Sequence, residues 1–309
     1  MNFLRYLLPA TLSLLIATNV GSQDLNSKGL KVKAKNKISA FKDGKINTLS
    51  NEISKNISSF AKEHLKNMKY LDFNINAQEY LKPTFSIMSV NEIMKINSGT
   101  IFNQTSINTH DGDETINIGI GARKLFEDNT LMFGANAFYD HQLTESHERV
   151  GVGGEAITSV FELRGNYYNA LSARRTNSEG TTERALDGWD IRGDYSLQTN
   201  HDVNIFISAY EFKNPESISQ YREKGNKFGV DAKLGNFAIE AGYLNDNQEN
   251  DAYFGNIKYV VNFGSDENNS SSNINSLKDV SNQLYQPVKR ENKIRVVKID
   301  ASGVVVGGF

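Results

Sequence analysis

The sequence predicts an all-β fold, a closed antiparallel transmembrane β-barrel of about twelve strands preceded by one short α-helix. Three observations predict it. Between residues 69 and 263, apolar and polar residues alternate with a period of two. The alternating segments run about nine to eleven residues, the length a tilted strand needs to cross a bilayer. Charges keep to one face of each segment, and long connections alternate with short ones, as at the two rims of an outer-membrane barrel.

The chain begins with a processing signal. Arg5 supplies a positive start, Tyr6 to Thr18 is mostly apolar, and Val20-Gly21-Ser22 offers a cleavage point before Gln23. Residues 1–22 are therefore expected to be a signal peptide, and the mature protein to cross the periplasm. No other segment approaches 18 continuous apolar residues, so a membrane form must be a barrel. Residues 23–68 are expected to be a periplasmic linker and helix. Ile46, Leu49, Ile53, Ile57, Phe60, Ala61, Leu65 and Met68 recur at steps of three and four, one apolar helical face.

After Met68 the period changes to two. Leu71, Phe73, Ile75 and Ala77 alternate with Asp72, Asn74, Asn76 and Gln78. Ile116, Ile118 and Ile120 alternate with Asn117, Gly119 and Gly121, and Trp189, Ile191, Gly193 and Tyr195 with Asp190, Arg192 and Asp194. The barrel is expected over 69–264. Its outward loops are expected at 141–146, 171–186, 213–225 and 245–251, and its inward turns at 126–129, 158–159, 198–201 and Gly235. The stretch 91–98 departs from that phase, being long for an inward turn.

The charged face predicts the lumen. Arg123, Asp140, Arg149, Glu155, Arg164, Asp190, Arg192, Asp194 and Lys258 are the candidate lumen-lining residues, with Glu162, Asp231, Lys233 and Glu240 beside them. They read as a compensating charge ladder that stiffens the interior, or as groups that grip a threaded segment or set ion selectivity. Tyr259 and Phe263 share the outward side of the last strand, similar to the aromatic-ended signal that such barrels present to their assembly machinery.

Composition excludes several function classes. Lys and Arg number 34 against 36 Asp and Glu, so no electrostatic case for nucleic acid exists. The chain has no Cys, which rules out disulfides, CxxC redox pairs and Cys-based zinc sites. His110, Asp111 and Asp113 share one expected loop, and His141 and His147 another. Neither group shows HExxH spacing or a GxSxG nucleophile elbow. Asp111-Gly112-Asp113 reads as a hairpin turn. No catalytic, metal or cofactor site is expected.

Longer motifs carry a resemblance. Asn117 to Arg123, Asn136 to Asp140, Leu143-Thr144, His147 to Arg149 and Gly151 to Ala156 follow one another in an ordered series, continued by 165–172 and 183–197. In this series the chain resembles the barrel of the inverse autotransporter (intimin/invasin) family. The resemblance implies an outer-membrane barrel whose chain leaves the last strand, threads back through the pore and emerges outside, where adhesive domains begin. Residues 265–283 form a polar linker that could span on the order of 60 Å, more than the band of about 25 Å requires. Residues 284–298 look like the family's exit segment. Eleven residues follow, room for one hairpin from Ile294–Val297 and Val304–Val306, so the expectation is a barrel without an adhesive passenger.

The expected function is a non-enzymatic barrel that threads or displays its own C-terminal segment at the bacterial surface. Expected partners are outer-membrane lipid, the barrel assembly machinery and a separately encoded surface partner. A small porin-like channel plugged by its tail, and a loop-mediated surface adhesin, are the alternatives.

Overall fold

The computed structural model describes residues 67–79, 81–110, 113–176, 181–198, 202–216, 221–248, 251–263, 277–299 and 305–308. The signal peptide and most of the expected helix lie outside the described residues. Met68, expected to end that helix, opens the first strand.

Twelve strands close into an antiparallel barrel: β1 (Met68–Gln78), β2 (Thr84–Ile96), β3 (Gly99–His110), β4 (Asp113–Phe126), β5 (Leu131–Gln142), β6 (Glu148–Thr158), β7 (Phe161–Ala170), β10 (Asp187–Gln198), β11 (Asp202–Lys213), β12 (Arg222–Leu234), β13 (Phe237–Asp246) and β14 (Ala252–Asn262). Closure is made by β1 on β14, with Tyr70 opposite Asn262 and Gln78 opposite Phe254. The Phe263 amide extends it, donating to the Lys69 carbonyl at 2.9 Å. A closed barrel leaves no unpaired edge for lipid to meet.

The sides of the strands are inverted relative to a soluble protein. Ile207 and Tyr253 are each 66% exposed, whereas Arg149 and Asp140 are fully buried. Apolar side chains project outward and charged ones into the lumen, the pattern a lipid solvent demands. Tyr259 projects outward, edge-on to Phe237 at 5.2 Å, and with Phe263 it packs around Met68, Leu71 and Val261.

One sequence expectation fails at β2. The stretch 91–98 is not a long turn: β2 continues to Ile96, and Asn97 and Ser98 alone make the reversal, Ser98 in the left-handed region. A bulge between Glu92 and Met94 accounts for the break in phase. An extra residue there switches which side chains face inward, so the alternation breaks while the pairing goes on.

A second sheet stands at the long-loop rim. The 171–186 loop contains β8 (Arg175–Thr176) and β9 (Thr182–Ala185), which are joined by β15 (Val296–Ile299) and β16 (Val305–Gly308). β15 also pairs antiparallel with β16, so these two short strands near the C-terminus are joined to a barrel loop.

Inside the barrel, apolar clusters are completed by the same distal segment. Val288 packs with Tyr70, Val90, Phe102, Phe138 and Val260, and Val280 with Leu125, Met132 and Ile157. Val297 and Ile299 pack with Tyr168, Leu186, Tyr210, Phe212 and Leu244. Inward glycines make room for the rings: a Cβ at Gly119 would sit 2.3 Å from the Phe138 ring.

Candidate functional site

Residues 277–299, the tail, run through the lumen from the turn rim to the loop rim. At the turn rim the Lys278 amide donates to Ser159 Oγ at 2.9 Å and the Val280 amide to the Asn129 carbonyl at 2.8 Å. Glu127, Asp128 and Asn129 all have positive φ, a tight left-handed turn. Although partial burial opposes it, hydrogen bonds from Ser281 and Asn129 hold the Asp279 carboxyl below the ordinary aspartate range.

Beyond the short 3-10 turn at Ser281–Gln283, the wall bonds to the tail's main chain. Arg123 Nη1 donates to the carbonyls of Gln283, Leu284 and Gln286. Gln104 both accepts from the Val288 amide at 2.8 Å and donates to its carbonyl at 3.4 Å, as a neighbouring strand residue would. Asn166 donates to the Lys289 carbonyl at 3.1 Å, and Asn117 to that of Asn292 at 2.9 Å. Arg149 donates to the Glu291 and Lys293 carbonyls at 2.7 and 3.0 Å, and Tyr168 Oη accepts from the Glu291 amide at 2.8 Å. Strands β3 to β7 supply all of these groups. An extended chain has no helix to satisfy its own amides, so a lumen that encloses it must supply partners.

Tail side chains are matched as well. Lys289 lies 3.0 Å from Asp194, 3.5 Å from Glu162 and 3.9 Å from Asp231. Arg290 meets Asp140 with both terminal nitrogens, and Arg295 pairs with Glu223 and Glu291. At the loop rim the Leu186 amide donates to the Arg295 carbonyl at 3.0 Å. The tail then becomes β15, antiparallel to β9 with Val296 opposite Ala185 and Ile299 opposite Thr182.

Behind this grip lies a lattice of wall charges. Arg123 binds Glu155, which lies 3.4 Å from Arg164; Arg164 binds Glu162 and approaches Asp194 at 3.5 Å. Arg192 joins Asp194, Asp231 and Glu240 at 2.7, 2.9 and 2.7 Å. Each charge of this lattice therefore has a counter-charge. Lys258, on the inward side of β14, is an electrostatic neighbour of Glu240 and Asp72.

Of the residues singled out from sequence, Arg123, Asp140, Arg149 and Asp194 touch the tail, and Glu162 and Asp231 reach its Lys289. Glu155, Arg164 and Arg192 bond to other wall side chains, and Asp190 holds Asn166 and Tyr168 in place. His141 and His147 do not come together. His141 stacks on Tyr139 beside Glu148 on the outer surface. His147 is fully buried, with Nδ1 3.2 Å from Ser172 Oγ and Nε2 3.6 Å from Glu183 on β9. His110 and Asp111 lie at or beyond the edge of the described residues. Sequence reasoning missed Gln104, Asn117, Asn166 and Tyr168. Parity was the available signal: Asn117 shares the inward row of β4 with Arg123.

The family model for the inverse autotransporter β-domain matches residues 19–292. The chain belongs to this family. An Escherichia coli K12 protein described as a putative attaching and effacing protein homolog is 33% identical over 135 residues, 38% of this chain and 45% of that one. Yersinia enterocolitica invasin is 34% identical over 152 residues, 48% of this chain and 17% of invasin. The chain thus spans less than half the length of these curated relatives. A solved structure from work on in-meso crystallization of membrane proteins aligns with a TM-score of 0.63 at 20% identity, covering 74% of this chain and 99% of that one, a likeness of fold. As an inverse autotransporter β-domain, the protein is an outer-membrane barrel. Its motif residues from Asn117 to Ser172 lie along β4 to β7 and their connections, and those at 183–197 on β9 and β10.

Proposed function

We propose that this barrel passes its own C-terminal segment from the periplasmic turn rim to the outer loop rim and holds the emerged end at the cell surface. One observation carries the reading. A single continuous segment enters beside Asn129, is bonded along its main chain through the lumen, and pairs with a loop strand at the opposite rim. Its family supports the direction of travel, and relatives named for invasion and attachment support a surface role. The reading needs no catalyst. Tyr259 and Phe263 would present the barrel to the assembly machinery, and lipid and a separately encoded surface protein would be its partners.

The test is an epitope placed after Val306, probed with antibody or protease on intact cells. Display predicts access without opening the outer membrane. Protection on intact cells, with cleavage only after that membrane is breached, would leave a barrel plugged by its tail.

A further inference from the structure

The lumen wall contains a site shaped for one guanidinium group. Arg290 is 1% exposed and donates through Nη1 and Nη2 to the two oxygens of Asp140, at 2.8 and 2.7 Å. Its charged plane lies over two rings, 4.3 Å from the centre of Phe138 and 5.3 Å from that of Tyr168. Every part of the cradle is held from behind. Asn117 Nδ2 and Arg149 Nε fix the Asp140 carboxylate at 2.7 and 2.8 Å, and Asp190 fixes the Tyr168 hydroxyl. Gly119 leaves room for the Phe138 ring, and Gly151 forms the floor. A Cβ at Gly151 would stand 3.2 Å from Arg290 Nη2 and from the Tyr168 ring.

We infer that Phe138, Asp140, Gly151 and Tyr168 form an arginine-specific pocket that fixes the register at which the tail stops in the barrel. The inference rests on the tail-threading reading above and adds the specificity that reading lacks. Bonds to main-chain carbonyls are the same for any residue, so Arg123, Arg149 and Asn166 cannot tell one register from the next. A side chain that is planar, bidentate and stacked can. An ammonium reaches a carboxylate as a point charge but matches neither the fork nor the rings. Asp140 serves two arginines, Arg149 of the wall and Arg290 of the tail, so the pocket is organised around its carboxylate before the tail arrives.

The natural chain has no Cys, so one introduced pair reports register directly. Gln104→Cys with Val288→Cys, in the full-length protein in membranes, joins two positions bonded in this structure. Arg290→Ala and Arg290→Lys in that background should each lower the crosslink yield about fivefold or more. In the Arg290→Ala protein, millimolar ethylguanidinium should restore the yield, and ethylammonium should not. Lys213→Arg, at an exposed position at the end of β11, should leave the yield unchanged. A parental yield in both Arg290 variants, or equal rescue by the two compounds, would overturn the pocket. The epitope after Val306 is read in the same cells. An exposed epitope with a crosslink indifferent to Arg290 sinks the pocket alone, and a protected epitope with an Arg290-dependent crosslink sinks display alone.

Discussion

The β3–β7 wall holds the tail chiefly by its main chain, meeting the side chains of Arg290 and Lys289 through Asp140 and Glu162, and the wall from β10 to β13 holds it by its side chains. On the first, Gln104, Asn117, Arg123, Arg149 and Asn166 donate to tail carbonyls. On the second, Asp194, Asp231 and Glu223 meet Lys289 and Arg295. There Tyr210, Phe212 and Leu244 also receive Val297 and Ile299. Arg295 in addition lies over the rings of Tyr210 and Phe212, at 4.7 and 4.8 Å. The difference teaches a division of labour. A surface that bonds main-chain groups accepts any passing sequence, whereas one that reads charge and shape recognises the segment that stays.

The largest effect is expected where both functions meet the buried lattice. Arg123→Ala removes the donor to the Gln283, Leu284 and Gln286 carbonyls and takes one of the two arginines from Glu155, itself buried. Breaking a buried pair from one side costs about 3–5 kcal/mol, so barrel unfolding in detergent should occur at clearly lower temperature. Arg192→Ala breaks the lattice on the opposite wall, among Asp194, Asp231 and Glu240, without removing a main-chain donor. Both variants should lose stability, but only Arg123→Ala should make residues 283–286 open to protease. Equal cleavage in the two would erase the distinction between the walls.

The contrast sharpens at the loop rim. Ile299→Ala empties part of the cluster that surrounds the end of β15, at a cost of about 2–4 kcal/mol for a buried aliphatic truncation. The loss should stay local. Amide exchange across β15 and β9 is expected to quicken, while the Val288 amide, bonded to Gln104, keeps its protection. Faster exchange along the whole tail would mean that the main-chain grip depends on the side-chain grip.

These walls were unequally legible in the sequence. Strand alternation is enforced by lipid on one side and a charged lumen on the other, so Ile118 and Ile120 against Arg123 could be placed from pattern alone. The Glu92–Met94 bulge could not, because one inserted residue erases the period without ending the strand. Arg123, Asp140, Arg149 and Asp194 stood out because charge is unusual on a buried face. Gln104, Asn117, Asn166 and Tyr168 did not, since neutral side chains become a grip only when a backbone lies opposite them. The cradle around Arg290 joins residues more than a hundred positions apart, and nothing local announces it.

The smallest expected effect lies at the turn rim, outside both walls. Asp279 accepts from the Ser281 amide at 2.6 Å and from Asn129 Nδ2 at 3.2 Å, contacts that favour its ionised form. Its folded pKa therefore lies below the unfolded value of about 3.9. A depressed carboxylate adds stability that is fully present above the unfolded pKa and is lost as pH falls through the folded one. Since the group is largely exposed, water screens the contribution, and the change should be confined to the turn at Ser281–Gln283. The Ser281 amide resonance of the micelle-embedded barrel reports it. Its shift should titrate with a midpoint below 3.9, and Asp279→Asn should abolish the titration. A midpoint at or above that value would mean that the turn rim holds the tail through its main chain alone, by the Asn129 carbonyl and the Val280 amide, and the turn rim would then act by the same means as the β3–β7 wall.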